Sequence, residues 1–464
     1  MESEVERLSS RGHTWTKTRQ QLSSPWRHDA THTMMAAGVI VFIATVVQSP
    51  ARFIYDAAVY WSGAVGLAHG RLLGELDLKG ALTPVLYLPA ALATRGLGES
   101  AGGAAVLVEN SLLVSLVGVL LLPQLLRTWV PVTSWMVWVC AGLTWLLVGR
   151  FAPYPLVDLW AAALMLAAVV VLQRRTTIGL MGAGLLAGIA FNIRPAYLVP
   201  LLLATVVVLF RQRSGGLWFA AGAVVAQVPQ SIVNLMLGAG WKPWPSRMPR
   251  LSQVQSYYGS YIVRYDTVYL PGRAPQQFFC DPVMAQSVRD HLHVSPGGLV
   301  APSSGDLAAS YLHNVPQSLL FAAEKATAAL HWPLSTPYFA PTGARDEMFA
   351  LLVATVTILG IVSLVRAQSK LGFRSASVAV WVAAAVWLGS LATIVTSAPE
   401  TRFAMPLVLF GIAGFGGLVR GRLGSRWATG VVIAVVVVFA IGTLGLSHPA
   451  APGPARSPSV CLTR

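Results

Sequence analysis

The sequence predicts an all-α polytopic membrane protein of about eleven transmembrane helices, with juxtamembrane helices and a loop cap on the external side. Three observations predict it. The chain is 55% apolar, only 11% charged, and has a mean hydropathy of +0.62, far above soluble usage. Apolar runs long enough to cross a bilayer recur from Met34 to Leu446, as continuous stretches rather than the alternating segments of a β-barrel. Clusters of arginine and lysine fall between these runs on every second turn, as a chain that keeps its positive loops in the cytoplasm requires.

Taken in order, the runs are 34–49, 104–125, 133–149, 156–173, 178–190, 195–210, 215–237, 347–365, 376–397, 401–419 and 427–446. The basic loops are those holding Arg19 and Arg27, Arg127, Arg174 and Arg175, Arg211 and Arg213, Arg366 with Lys370 and Arg374, and Arg420 with Arg422 and Arg426. Placing all of them inside gives a cytoplasmic tail at 1–33 and an N-terminal transmembrane module at 34–237, whose first external loop is 50–103. A long external loop at 238–346 follows, then C-terminal helices at 347–446 and a disordered external tail at 447–464. The first run reads as an uncleaved anchor, because about thirty polar residues precede it. Residues 81–96 are apolar but contain Pro84 and Pro89, and counting them as a span would put basic loops outside. They read as a re-entrant or surface-lying helix. The 238–346 loop is rich in Pro, Trp and Tyr and too long for a connector, so it reads as a small cap over the membrane face.

Composition also excludes. The net charge of +15 does not point to nucleic acid, because the basic residues are spread through topological loops and form no compact basic domain. The three cysteines, Cys140, Cys280 and Cys461, have no metal-ligand spacing; Cys280 and Cys461 both fall in external segments and are able to pair. No GxSxG, HExxH or P-loop occurs, which removes the support for nucleotide hydrolysis and metalloprotease chemistry.

Chemistry therefore rests on the few charges outside the basic loops. Asp56 lies among aromatics in Arg52-Phe53-Ile54-Tyr55-Asp56-Ala57-Ala58-Val59-Tyr60-Trp61, just past the first run. Apolar and aromatic neighbours push a carboxylate's pKa upward, towards a useful general base. The same residue is suited to cap a helix starting at Ala57. Asp158 heads a span on the external side, where it can hold a divalent cation or a sugar hydroxyl, or simply complement the helix dipole. Lys79, Arg194 and Arg402 run against the positive-inside bias. Converging at the interface they would neutralise a lipid phosphate; the plain alternative is snorkelling or local pairing, as of Arg402 with Glu400. The aromatics Tyr257, Tyr258, Tyr261, Tyr265, Trp332 and Tyr338 suit sugar stacking or an interface belt alike. His331, beside Trp332, is a candidate for orienting a phosphate or a metal, although a lone histidine is more often structural.

These residues, in this order and on one side, resemble the GT-C superfamily of integral membrane glycosyltransferases, which includes protein O-mannosyltransferases, aminoarabinose transferases and actinobacterial arabinofuranosyl- and mannosyltransferases. The matching pieces are Tyr55 to Trp61 with the small-residue stretch to Gly70, Lys79 to Leu88, Asp158, Gly184 to Ala190 with Arg194-Pro195, and Glu400 to Pro406. The resemblance covers most of the chain outside its tails. It departs where a lone Asp56 stands in place of paired acids, and where Gly80-Ala81-Leu82-Thr83-Pro84 replaces a tight Lys-Pro-Pro. It implies a GT-C-like fold in the plasma membrane with the active site facing outside, and a polyprenyl-phosphate sugar donor. The acceptor would be a glycan, lipoglycan, protein or peptide. Asp56 would be the catalytic base, and Lys79, Arg194, Arg402, Asp158, Tyr60 and His331 would bind substrate. Any metal, Mg or Mn, would sit on Asp56 and Asp158. A transporter or flippase, or an O-antigen-type polymerase, is the alternative; a transporter would carry its charges in mid-span.

Overall fold

The computed structural model describes residues 28–48, 52–71, 76, 78–174, 176–267, 276–292, 304–313, 315–338, 344–418 and 461. The helices in chain order are α1 (His28–Val46), α2 (Tyr55–Ala68), α3 (Leu88–Ala93), α4 (Glu99–Leu126), α5 (Ser134–Val148), α6 (Asp158–Val171), α7 (Thr177–Ile193), α8 (Leu198–Gln212) and α9 (Ser214–Met236). After the intervening segment come α10 to α13, given below, then α14 (Ala344–Leu371), α15 (Val378–Thr396) and α16 (Met405–Leu418). Among the described residues seven helices are long and apolar enough to cross a membrane: α4, α5 extended to Phe151, α8 from Pro195, α9, α14, α15, and α16 from Thr401. The chain is thus a multi-pass helical membrane protein. Each of the first ten apolar runs contains a helix; α1 and α7 are shorter apolar helices, and the run at 427–446 lies outside the described residues, as does all of the 447–464 tail except Cys461.

The apolar stretch at 81–96 forms no helix of membrane-spanning length. It forms turns as far as Tyr87 and then the six-residue α3. The stretch contains Pro84 and Pro89; a proline inside a helix lacks the amide hydrogen and clashes with the preceding turn.

Hydrophobic burial does little to distinguish one helix partner from another in lipid, so close approach at small residues matters more. A side chain at Gly184 would collide with the Phe219 carbonyl and one at Gly222 with the Met181 carbonyl, which is where α7 and α9 touch. The same contact joins α14 to α16 at Gly360, Gly411 and Gly414. Most of α16 is buried, packed against α14, α5 and α4. The helix that follows Arg402 is therefore central and rigidly held.

Between α9 and α14 the chain leaves the bundle and folds on its own small core. It comprises α10 (Met248–Gly259), the antiparallel hairpin β1 (Ile262–Thr267) and β2 (Gln276–Cys280), α11 (Pro282–Leu292), α12 (Ser304–His313) and α13 (Val315–Leu330). Tyr257, Tyr261, Ile262, Phe278, Val288 and Phe321 fill that core. The hairpin is the one described departure from an all-helical chain. Two links fasten the domain. The buried Lys325 donates from Nζ to the Gly259 carbonyl at 2.6 Å and to the Val395 carbonyl at the end of α15 at 2.7 Å. Cys280 is disulfide-bonded to Cys461, which brings the chain's C-terminal end to this domain.

At Gly411 an added Cβ would lie 2.4 Å from the Thr357 Cα, backbone that cannot step aside. Gly411→Val is expected to destabilise the protein by about 1–3 kcal/mol or more. The check is a thermal unfolding curve of the detergent-purified protein, which should shift to clearly lower temperature.

Candidate functional site

A helical bundle that runs up and down gathers alternate helix ends on one face. The start of α6, the end of α7, the end of α15 and the turn before α16 are such ends, and they carry Asp158, Arg194, Ser397 and Arg402. The start of α2 brings Asp56 to the same place, and the segment before α3 brings Lys79. The domain formed by α10 to α13 lies over them. Between bundle and domain is a cavity of about 790 Å³, lined by Asp56, Tyr60, Lys79, Arg194, Glu400 and Arg402 at one end.

Asp56 is the hub of that end. Lys79 Nζ donates to its Oδ1 at 3.1 Å, and Arg402 Nη2 donates to its Oδ2. Arg402 also pairs with Glu400 through Nε and approaches Asp158 Oδ2 at 3.7 Å. Arg194 holds Asp158 Oδ1 at 2.5 Å and lies over the Phe403 ring, 4.8 Å from its centroid. Lys79 reaches the Tyr60 hydroxyl at 3.4 Å. Three carboxylates, Asp56, Asp158 and Glu400, thus face three cations, Lys79, Arg194 and Arg402. Exposure separates their roles: the Asp56 side chain is 31% exposed, into the cavity, whereas Asp158 is 1% exposed. Asp56 can touch a substrate; Asp158 acts by positioning the two arginines.

Local structure aims Asp56. The helix starts at Tyr55, in the left-handed region at φ 50, and its cap residue Ile54 makes no side-chain cap bond. A bulky residue in that region carries about 1–3 kcal/mol of strain, held here by surrounding contacts. The Tyr338 hydroxyl donates to the Ile54 carbonyl at 3.3 Å and accepts from the Ala57 amide at 3.4 Å. Asp56 is therefore not the cap of a helix beginning at Ala57; it belongs to the first turn and spends its oxygens on Lys79 and Arg402.

The expected upward shift of the Asp56 carboxyl is also corrected. Burial does push it up, but the charges and hydrogen bonds of Arg402 and Lys79 outweigh burial and hold it well below the usual carboxylate range. Burial would lower the Lys79 ammonium, yet Tyr60 and Asp56 hold it up at about 12.

The sequence-chosen residues divide clearly. Asp56, Tyr60, Lys79, Arg194 and Arg402 line the cavity, and Asp158 stands directly behind it. His331 does not reach it. Its Nε2 lies 2.9 Å from Glu347 and its Nδ1 3.4 Å from Arg264, so it ties the α10 to α13 domain to α14. Trp332, Tyr257 and Tyr261 are buried and offer no face to a sugar; Trp332 instead donates to the Thr401 carbonyl at 2.8 Å, fixing the turn that presents Arg402. Tyr265 and Tyr338 do line the cavity. Sequence reasoning missed Ser252, Gln255 and Ser256 of α10, although Met248, Leu251, Ser252, Gln255 and Ser256 follow one helical face and all line the cavity.

A divalent cation does not fit the acids. Asp56 and Asp158 are already matched by Arg402, Arg194 and Lys79, beside which a doubly charged ion would be repelled. No cluster of three metal-ligating side chains occurs among the described residues.

Comparison with known proteins adds no name: no family model, no curated protein and no solved structure matches this chain.

Two outcomes follow from the geometry. Asp158→Ala takes the ion-pair partner from the buried Arg194, while Arg402 keeps Asp56 and Glu400, and should cost about 3–5 kcal/mol, read as a large fall in thermal stability; Asp56→Ala, at the cavity surface, should fall less. The second concerns Asp266 on β1, whose carboxyl burial, with help from Glu400 and against Arg264, pushes up from 3.8 to about 6. Its protonated form suits the fold, so that stabilisation is complete below about pH 3.8 and is lost as pH rises through 6. Asp266→Asn should remove the fall in unfolding temperature between 3.8 and about 6 on the pH scale.

Proposed function

We propose that the protein is a membrane glycosyltransferase that moves a sugar from a polyprenyl-phosphate donor to an acceptor hydroxyl, with inversion at the anomeric carbon. One observation carries the reading: a single cavity at one end of a membrane bundle presents an accessible carboxylate hydrogen-bonded to two cations. An arginine and a lysine are the groups that grip a phosphate and stabilise it as it leaves. A carboxylate next to them is the group that takes a proton from the attacking oxygen. The residue pattern's resemblance to the GT-C superfamily supports the same chemistry. With about eleven crossings and the basic loops in the cytoplasm, the cavity would open on the outer face of the plasma membrane.

In the resting site Asp56 is a weak base, because Arg402 and Lys79 stabilise its charge. A donor phosphate competes for those same cations. Once they turn to the phosphate, Asp56 loses its stabilisation and gains basicity, and it does so only when the donor is in place. The acceptor oxygen then bonds to the anomeric carbon as the carbon–oxygen bond to phosphate breaks. The hydroxyl proton goes to Asp56, and polyprenyl phosphate departs on Arg402, Lys79 and Arg194.

A transporter or flippase is the second reading. The position of the charges favours the enzyme: Asp56, Arg194 and Arg402 stand at helix ends, not in mid-span breaks.

The test incubates purified protein with radiolabelled polyprenyl-phosphate mannose and, separately, arabinose, across glycan and peptide acceptors. Transfer is expected from one donor. Asp56→Asn should lower it about 10²–10⁴-fold, and Arg402→Gln about 10²–10³-fold. Transfer from neither donor, or an Asp56→Asn protein as active as the wild type, would sink the proposal.

A further inference from the structure

The cavity has two chemically distinct ends. Among the described residues its charged side chains, Asp56, Lys79, Arg194, Glu400 and Arg402, belong to the cluster at the bundle end. The described wall supplied by the α10 to α13 domain is uncharged: beside the apolar Met248 and Leu251 it offers Ser252, Gln255 and Ser256 on one face of α10, and Thr267 and Gln276 where the hairpin strands pair. Such side chains donate and accept hydrogen bonds without a net charge, which matches the dual character of sugar hydroxyls. A charged ligand entering there would lose water with no opposite charge to meet it, at a cost that neutral hydroxyls avoid.

Three further observations point to a ligand. The Gln255 side-chain carbonyl has no hydrogen-bond partner within the protein and, with its residue lining the cavity, can accept from a hydroxyl once the side chain turns towards it. Tyr265, half-buried and stacked on Phe278, lines the same space with an aromatic ring that a sugar can meet. On the outer edge of β1 the Tyr265 amide is already used, donating to the Pro399 carbonyl at 3.1 Å, so a peptide strand cannot pair with it there.

We infer that this wall is the acceptor subsite and that the acceptor is an uncharged, hydroxyl-bearing glycan chain, not a peptide or a charged polysaccharide. The inference rests on the transferase reading for the word acceptor, but the binding site itself is testable alone. Gln255 then sets specificity: it holds one acceptor hydroxyl while another reaches Asp56.

The experiment applies full-length, detergent-purified protein to an array of neutral oligosaccharides, uronate- and phosphate-bearing oligosaccharides, amino-sugar oligosaccharides and serine- or threonine-containing peptides. Release of polyprenyl phosphate from the two radiolabelled donors is measured in parallel. Neutral oligosaccharides are the expected ligands. Gln255→Ala with Ser256→Ala should weaken their capture at least ~10-fold, in keeping with the loss of one or two net hydrogen bonds, while the elution profile and unfolding temperature stay those of the wild type. Gln255→Lys should turn capture towards the uronate-bearing set. Preference of the wild type for charged glycans or peptides, capture of nothing above background, or neutral capture unchanged in both variants would each overturn the inference. Neutral capture that depends on Gln255, in a protein that consumes neither donor, would keep the glycan site and discard the donor reading.

Discussion

Everything at the candidate site hangs on Arg402. Its guanidinium faces Asp56, Asp158 and Glu400 at once, and so ties together the start of α2, the start of α6 and the turn that opens α16. A planar cation with five donors can serve several carboxylates in fixed directions, which a lysine cannot. The turn that presents it is itself pinned, from above by the Trp332 indole on the Thr401 carbonyl and from below by α16 packed through Gly411 and Gly414. The arginine is thus held next to a closely packed, mostly buried helix, and the more exposed Asp56 and Lys79 are arranged around it.

This arrangement balances charge at the cavity. Three acids and three bases lie close to one another, and the cost of burying them is met by pairing. In the proposed mechanism the same balance makes the site responsive: a phosphate that takes Arg402 and Lys79 would free Asp56, so that binding the donor and creating the base would be one event.

The domain formed by α10 to α13 completes the cavity. It is fastened to the bundle where Lys325 donates to the Val395 carbonyl and where His331 meets Glu347, neither of which touches the cavity. These polar links explain why histidine and lysine are placed there: they orient a roof whose inner wall is α10. The roof contributes neutral polar groups where the bundle contributes charge, and the two chemistries meet near Asp56.

Sequence alone determined the class of fold. Hydropathy fixes which segments are apolar enough for lipid, and ten of the eleven runs fall on described helices, because a segment in lipid must satisfy its backbone hydrogen bonds within itself, as a helix does. It also singled out Asp56, Lys79, Arg194 and Arg402, since a charge beside an apolar run that breaks the loop pattern demands a reason. Tertiary structure decided which of these meet. It sent His331 and Trp332 into the domain's supports, turned Asp56 from an apolar-shifted acid into one held down by two cations, and brought Ser252, Gln255 and Ser256 over the site. Those outcomes depend on contacts between residues far apart in the chain, such as Asp56 with Arg402, and no local pattern of apolar and polar residues encodes such a distance.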